Sequence, residues 1–207
     1  MGKSRRATML ALAAVMMVVA SAAPVAATND ATHQQADIHP FPGAADLDPS
    51  GDSYRSASLV RTDSGISFRM QTDSLTPGDV VTIWYVIFNN PGECINAAAA
   101  SGPRCDLPDL FTGADIGLSV MWAAGSIVDG NGAAAWAGHI REGQLNVGHP
   151  MLGNGDGLTD ARGAEVHLVV HTHGPARAGY IGDQLHSFET DGDVVADLQA
   201  AAFRGEG

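Results

Sequence analysis

Lysine is all but missing from this chain: of 207 residues only Lys3 is one, and it lies beside Arg5 and Arg6 at the head of the sequence. Cysteine is limited to Cys94 and Cys105, and aromatic residues make up 6%. No G-x-S-x-G elbow, H-E-x-x-H helix or glycine-rich phosphate loop occurs, so the familiar signatures of hydrolases, zinc proteases and nucleotide binders are absent. Ten residues separate the two cysteines, too many for the C-x-x-C spacing of thiol redox or zinc sites.

What stands at the head of the chain explains where the basic residues went. Lys3, Arg5 and Arg6 form a positive segment, residues 7–23 an apolar run, and Val25, Ala26 and Ala27 suit the small-residue groove of a signal peptidase. Residues 1–27 therefore read as a secretory signal peptide, cut after Ala27 with Ala23 as the alternative site. The apolar run is alanine-rich and barely as long as a membrane span, which favours a cleaved signal over an anchor. The bulky residues that follow the arginines of a twin-arginine signal are displaced to Met9 and Leu10, so general secretion is expected. Cleavage leaves eight arginines against 23 acidic residues, a net charge near −15. Such a field repels phosphate backbones and anionic lipid, so neither nucleic acid nor a membrane surface is expected as a partner. An extracellular protein or a glycan fits better. In an exported chain, Cys94 and Cys105 are expected to form a disulfide.

The rest of the chain divides by pattern. Residues 28–53, with Pro40, Pro42 and Pro49 and no periodicity, read as a disordered leader or linker. Residues 54–207 are long enough for a single β-rich domain. Ile66, Phe68 and Met70 alternate with Ser67, Arg69 and Gln71, the period of a strand with one wet face. Thr76-Pro77-Gly78-Asp79 turns the chain. Residues 80–88 are almost continuously apolar, which suits a central strand. Residues 118–128 and 133–140 flank Asp129-Gly130-Asn131-Gly132 and read as a hairpin. Residues 143–160 form a glycine-rich loop, and residues 164–173 a strand that Gly174 and Pro175 break. In residues 194–203, Val194, Leu198 and Ala201 or Ala202 have helical spacing. The expected fold class is all-β, an antiparallel β-sandwich or barrel with a short C-terminal helix.

Chemistry concentrates on one strand. Glu165, His167, Val169, His171 and His173 project to one face, and His171 and His173 are neighbours there, within reach of one Cu or Zn ion. His167, His171 and His173 are the candidate ligands, with His139, His149 or His186 as possible further ones. The plainer reading is a solvent-facing sheet surface on which histidine recurs. Asp46 to Asp52 has the acidic spacing of a calcium loop but carries Ala57 where a bidentate glutamate is required. Asn154, Asp156 and Asp160, and Asp191, Asp193 and Asp197, read as solvated acidic loops. Trp84, Trp122 and Trp136 fall in expected strands and suit core packing better than a glycan platform, which would need two of them exposed side by side.

The run His171-Thr172-His173-Gly174-Pro175-Ala176, followed by a glycine-containing turn and Asp183-Gln184-Leu185, resembles the histidine-rich strand and turn of CHRD domains. The resemblance covers about residues 119–185 and its distinctive piece is six residues long. It implies a secreted β-domain of extracellular proteins with no established enzymatic role. The His-x-His strand also resembles that of copper–zinc superoxide dismutase, but that family needs several more histidines and an aspartate downstream, and only His186 follows His173. The reading that results is a secreted, non-catalytic binding or structural module, with no catalytic residue assigned; the alternative is a Cu- or Zn-binding extracellular protein centred on the His-x-His strand.

Overall fold

Strand periodicity builds this molecule, and the described residues form nine strands: β1 (Thr32–Asp37), β2 (His39–Pro40), β3 (Ser56–Thr62), β4 (Gly65–Thr72), β5 (Asp79–Phe88), β6 (Leu118–Ile127), β7 (Ala134–Arg141), β8 (Glu165–Pro175) and β9 (Ala196–Phe203). The computed structural model describes residues 30–41 and 55–206. The signal-peptide reading of residues 1–27 and the acidic run Asp46 to Asp52 lie outside them. Among the described residues no helix is long and apolar enough to cross a membrane.

Two antiparallel sheets form, ordered β1-β3-β4-β7 and β2-β9-β8-β5-β6, and they face each other as a sandwich, not a closed barrel. On β4, Ile66, Phe68 and Met70 are buried and Ser67, Arg69 and Gln71 exposed, as the period of two requires. β5 is buried on both faces and pairs with β6 on one side and β8 on the other. Phe68 meets Tyr85 across the core, edge to face at 5.5 Å between centroids. This contact depends on Gly138, because a Cβ there would fall 2.4 Å from the Phe68 ring.

Four expectations change. Residues 196–203 form β9, not a helix, and the one α-helix among the described residues is the single turn α1 (Ile181–Gln184). Alanine's helix preference is worth only a few tenths of a kcal/mol per residue; pairing with β8 and burial of Ala201 and Phe203 outweigh it.

The strands around residues 129–132 exist, but they do not form a hairpin: β6 pairs with β5 and β7 with β4. The backbone groups a hairpin would use are taken by the 75–79 turn. Val128 N–H donates to Asp79 O, Gly78 N–H to Val128 O, and Leu75 N–H to Gly132 O. The turn thus carries the chain from one sheet to the other.

Within the supposed leader, β1 pairs with β3 and β2 with β9, and the fully buried Ile38 between them anchors the crossing. Its polar side chains are used: Gln34 accepts from Arg61, whose buried guanidinium also donates to the carbonyls of Ala161, Phe203 and Arg204. Burial lowers the Arg61 pKa to about 10. Lastly, β8 continues through Gly174 to Pro175, which pairs with Asp79 at a register shift.

The expected disulfide is present, with Cys94 and Cys105 joined at 2.05 Å.

Candidate functional site

Alternation along β5 and β8 gives the five-stranded sheet two unlike faces. Val81, Ile83, Tyr85 and Ile87 enter the sandwich core. Thr82, Trp84, Val86 and Phe88 point outward, opposite His171, Val169, His167 and Glu165 of β8. Ala200 and Ala202 of β9 extend this outer face beside Val169 and His167. Two alanines among larger side chains leave a hollow, and loops wall it in on three sides. The result is a half-open, mainly apolar pocket of about 310 Å³, floored by Trp84, Val86, Phe88, Val169, Ala200 and Ala202.

The first wall is the disulfide loop with the short turn that follows it; the loop contributes Pro103 and the turn Leu107 and Leu110. A single buried carboxylate docks it. Glu165 accepts from the backbone N–H groups of Arg104 (2.9 Å) and Cys105 (3.0 Å) and from His167 Nε2 (2.9 Å). Burial pushes the Glu165 carboxyl up, but these hydrogen bonds outweigh it and hold the group below the usual carboxylate range. An ionised Glu165 requires His167 to donate from Nε2. In the neutral ring the other nitrogen, Nδ1, is then an acceptor, and it belongs to a side chain lining the pocket.

The second wall is the 149–152 turn. His149 Nδ1 accepts from the N–H groups of Met151 and Leu152, both at 3.1 Å, so Nδ1 carries no proton and Nε2 does. Burial pulls this ring below the ordinary imidazole range. The ring meets Phe188 at 4.0 Å and Trp84 at 6.3 Å between centroids, both in edge-to-face contact.

The third wall is the 177–193 segment, which brings Phe188 over the sheet. Phe188 stacks on His171 at 4.2 Å, and the two ring nitrogens of His171 meet Asp197 Oδ1 (2.8 Å) and the Phe188 carbonyl (2.9 Å). Both partners are acceptors, and each is met by a ring nitrogen that carries a proton. Asp193 ties the segment down. Its side chain has no exposed area; Oδ2 accepts from His173 Nδ1 (2.8 Å), Thr190 N (2.8 Å) and Thr190 Oγ1 (2.7 Å), and Oδ1 from Arg177 Nη2 (2.6 Å) and Gln184 Nε2 (3.0 Å). Burial opposes ionisation of Asp193, yet these donors hold it well below the usual carboxylate range. Burial likewise keeps His173 low and neutral, against the pull of Asp193.

The His-x-His strand is therefore neither a solvent-facing surface nor an assembled ligand set. His171 and His173 are 2% and 1% exposed, and every ring nitrogen of the pair faces a protein partner. His167 spends its Nε2 on Glu165. His139 lies on the other sheet and bonds Ser67 Oγ, and His186 stacks on Trp122 at 5.2 Å. Among the described residues no group of three or more His, Cys, Asp or Glu side chains is disposed to hold a metal ion.

The order Asp193, His173, Thr82 has the hydrogen-bond sequence of a hydrolase triad, with His173 Nε2 at 3.3 Å from Thr82 Oγ1. However, Thr82 is fully buried and its hydroxyl also accepts from Trp84 Nε1 at 2.9 Å. No reacting atom can approach it, so the chain of bonds is structural.

The remaining candidates are placed apart. Trp84 and Trp136 are buried, and Trp122 is half-buried, donating to Leu185 O. Asp160 accepts from the N–H groups of Arg162 and Gly163. Sequence reasoning missed Phe188, the docking role of Glu165 and the anchoring roles of Asp193 and Asp197. Only Glu165 left a mark, as the one acidic residue of its strand. Comparison with protein-family models, curated proteins and solved structures yields no match to this chain.

Proposed function

We propose that this protein is a secreted, non-catalytic binding module whose ligand is a small, largely apolar molecule held on the outer face of the five-stranded sheet. One observation carries the reading: a pocket of about 310 Å³, mainly apolar, with a few polar groups at its margin. Small-molecule sites have this composition, and their volumes start at about 300 Å³. The disulfide loop, pinned by a buried glutamate, is a wall prepared in advance of binding, which lowers the ordering cost of capture. The signal-like residues 1–27 and the disulfide support an extracellular setting. The resemblance to CHRD domains, which implies a secreted β-domain with no established enzymatic role, agrees with it.

The test is to titrate the purified domain with naphthalene carrying no polar group and to follow quenching of tryptophan fluorescence, alongside the variant Ala200→Phe. Saturable binding by the native protein, lost in the variant while its melting temperature is kept, is the expected result. Equal binding by both, or none by either, would refute the pocket as a site.

A further inference from the structure

Of the three histidines that line the pocket, the exposed His39 has no fixed sense, while His149 and His167 are fixed in opposite hydrogen-bonding senses, and this pair defines the ligand's polarity. The inference rests on the pocket reading above and adds the chemistry of the occupant. His149 receives two backbone N–H groups at Nδ1, so the nitrogen left to the pocket, Nε2, carries a proton and donates. His167 donates from Nε2 to Glu165, so in the neutral ring the remaining nitrogen, Nδ1, accepts. Neither free nitrogen is among the fully buried polar atoms that lack a partner, so each keeps some accessible surface.

They sit at opposite ends. His149 packs at the Trp84 end of β5 (6.3 Å between centroids) and His167 at the Phe88 end (5.2 Å). Four residues of extended strand separate those ends, about 13 Å. Between them the floor is aliphatic: Val86, Val169, Ala200 and Ala202.

Charge narrows the class further. Asp106 and Asp197 are the charged side chains of the lining, which contains no arginine, and the ionised Glu165 lies directly behind His167. An anion would be desolvated against three carboxylates. A cation would find these carboxylates already engaged: Asp197 by His171, Asp106 by the N–H of Leu107, and Glu165 by His167 and the disulfide loop. Size gives the last limit, since a cavity of about 150 Å³ holds one benzene and this pocket is about twice that.

We infer that the pocket binds an uncharged molecule of about two-ring size, elongated, with a hydrogen-bond acceptor such as a carbonyl at the His149 end and a donor such as a hydroxyl at the His167 end. The orientation follows from the tautomers: carbonyl oxygen toward the donor His149 Nε2–H, hydroxyl toward the acceptor His167 Nδ1.

The experiment is calorimetric titration of the native full domain with a matched series: a naphthol bearing an acetyl group on the far ring, its methyl ether, the analogue with carboxylate in place of acetyl, the analogue with a protonated aminomethyl group in place of hydroxyl, and bare naphthalene. The acetylnaphthol is expected to bind most tightly, with the ether about tenfold weaker for loss of one hydrogen bond and the carboxylate weaker than the ether. His167→Phe should remove the difference between naphthol and ether, and His149→Phe should remove the advantage of the acetyl group; both variants keep an aromatic ring in the wall. If naphthalene binds but all members bind alike, or the carboxylate or the amine binds best, the inference is overturned while the pocket stands. If naphthalene fails as well, the pocket reading fails with it.

Discussion

Replacing Asp193 by asparagine should unlock the 177–193 segment from the sheet. In the native protein five donors converge on two carboxylate oxygens. An asparagine placed to keep its oxygen at the His173 and Thr190 side turns its NH₂ toward Arg177 Nη2 and Gln184 Nε2, two donor-to-donor contacts. The flipped amide faces three. Either way Arg177, whose side chain is 30% exposed, loses its counter-charge. Removing one partner of a buried charged pair costs about 3 to 5 kcal/mol, and the partial exposure of Arg177 puts the expected loss near about 3 kcal/mol, or roughly 10 °C in melting temperature for a domain of this size. Urea unfolding followed by far-ultraviolet circular dichroism, with the disulfide intact, measures this. Arg177→Met, alone and combined with Asp193→Asn, completes a cycle in which the pair should couple by about 1 to 3 kcal/mol. A loss under about 1 kcal/mol in Asp193→Asn, or additive effects in the cycle, would refute the account of Asp193 as the anchor of this wall.

Three further outcomes follow from the structure. Replacing both cysteines by serine should cost about 2 to 3 kcal/mol from the lost loop constraint; urea midpoints check this, and an unchanged midpoint would count against it. Gly138→Val should destabilise by about 1 to 3 kcal/mol through overpacking, because its Cβ falls on the Phe68 ring, and Phe68→Leu in the same chain should recover part of the loss in a thermal melt. Stability should also fall with acid. The folded-state pKa values of His149 and His173 are depressed by burial, so below the unfolded value of about 6.5 the unfolded chain binds protons the folded one refuses, at up to about 1.4 kcal/mol per pH unit for each ring. Glu165 and Asp193, also depressed, contribute stability that is complete above the unfolded carboxylate values and lost as pH falls through their folded ones. Urea midpoints measured from about pH 7.5 to about pH 5 should therefore decline, and a flat profile would contradict the assignment of neutral buried rings.

Much of the β architecture was legible because one-sided burial writes itself as alternation. β4 shows it in Ile66, Phe68 and Met70, and β5 shows burial on both faces as an unbroken apolar run. Where neither face is wholly apolar the signal vanishes. β1 is a polar edge strand of half-exposed residues, held through Gln34 and its backbone. β9 hides for a different reason: its outward Ala200 and Ala202 must be small to leave the hollow, and its Gln199 is buried because Thr72 and the Asp73 carbonyl satisfy it. Small residues on one face and a buried amide on the other read as an alanine-rich helix. Pairing was illegible at the 129–132 turn because its hydrogen-bond partners lie some 50 residues earlier. As for the candidate site, the sequence marked the right strand. Chemistry of the histidines was decided by Asp193, Asp197 and the Phe188 carbonyl, which no spacing on β8 could reveal.

The crossing at Ile38 also sets a timetable. β2, synthesised well before β9, pairs with it, and Arg61 of β3 is satisfied by the carbonyls of Phe203 and Arg204 at its end. Until residues 196–204 have emerged, the five-stranded sheet has an open edge beside β8 and Arg61 lacks two of its acceptors. Pairings between such distant segments are slow to form because loop closure precedes their reward. The five-stranded sheet and the acceptor set of Arg61 on the other sheet are thus completed by the same late event, so a ribosome-bound chain stopped before β9 should remain protease-sensitive, and closure should be all-or-none once that strand arrives.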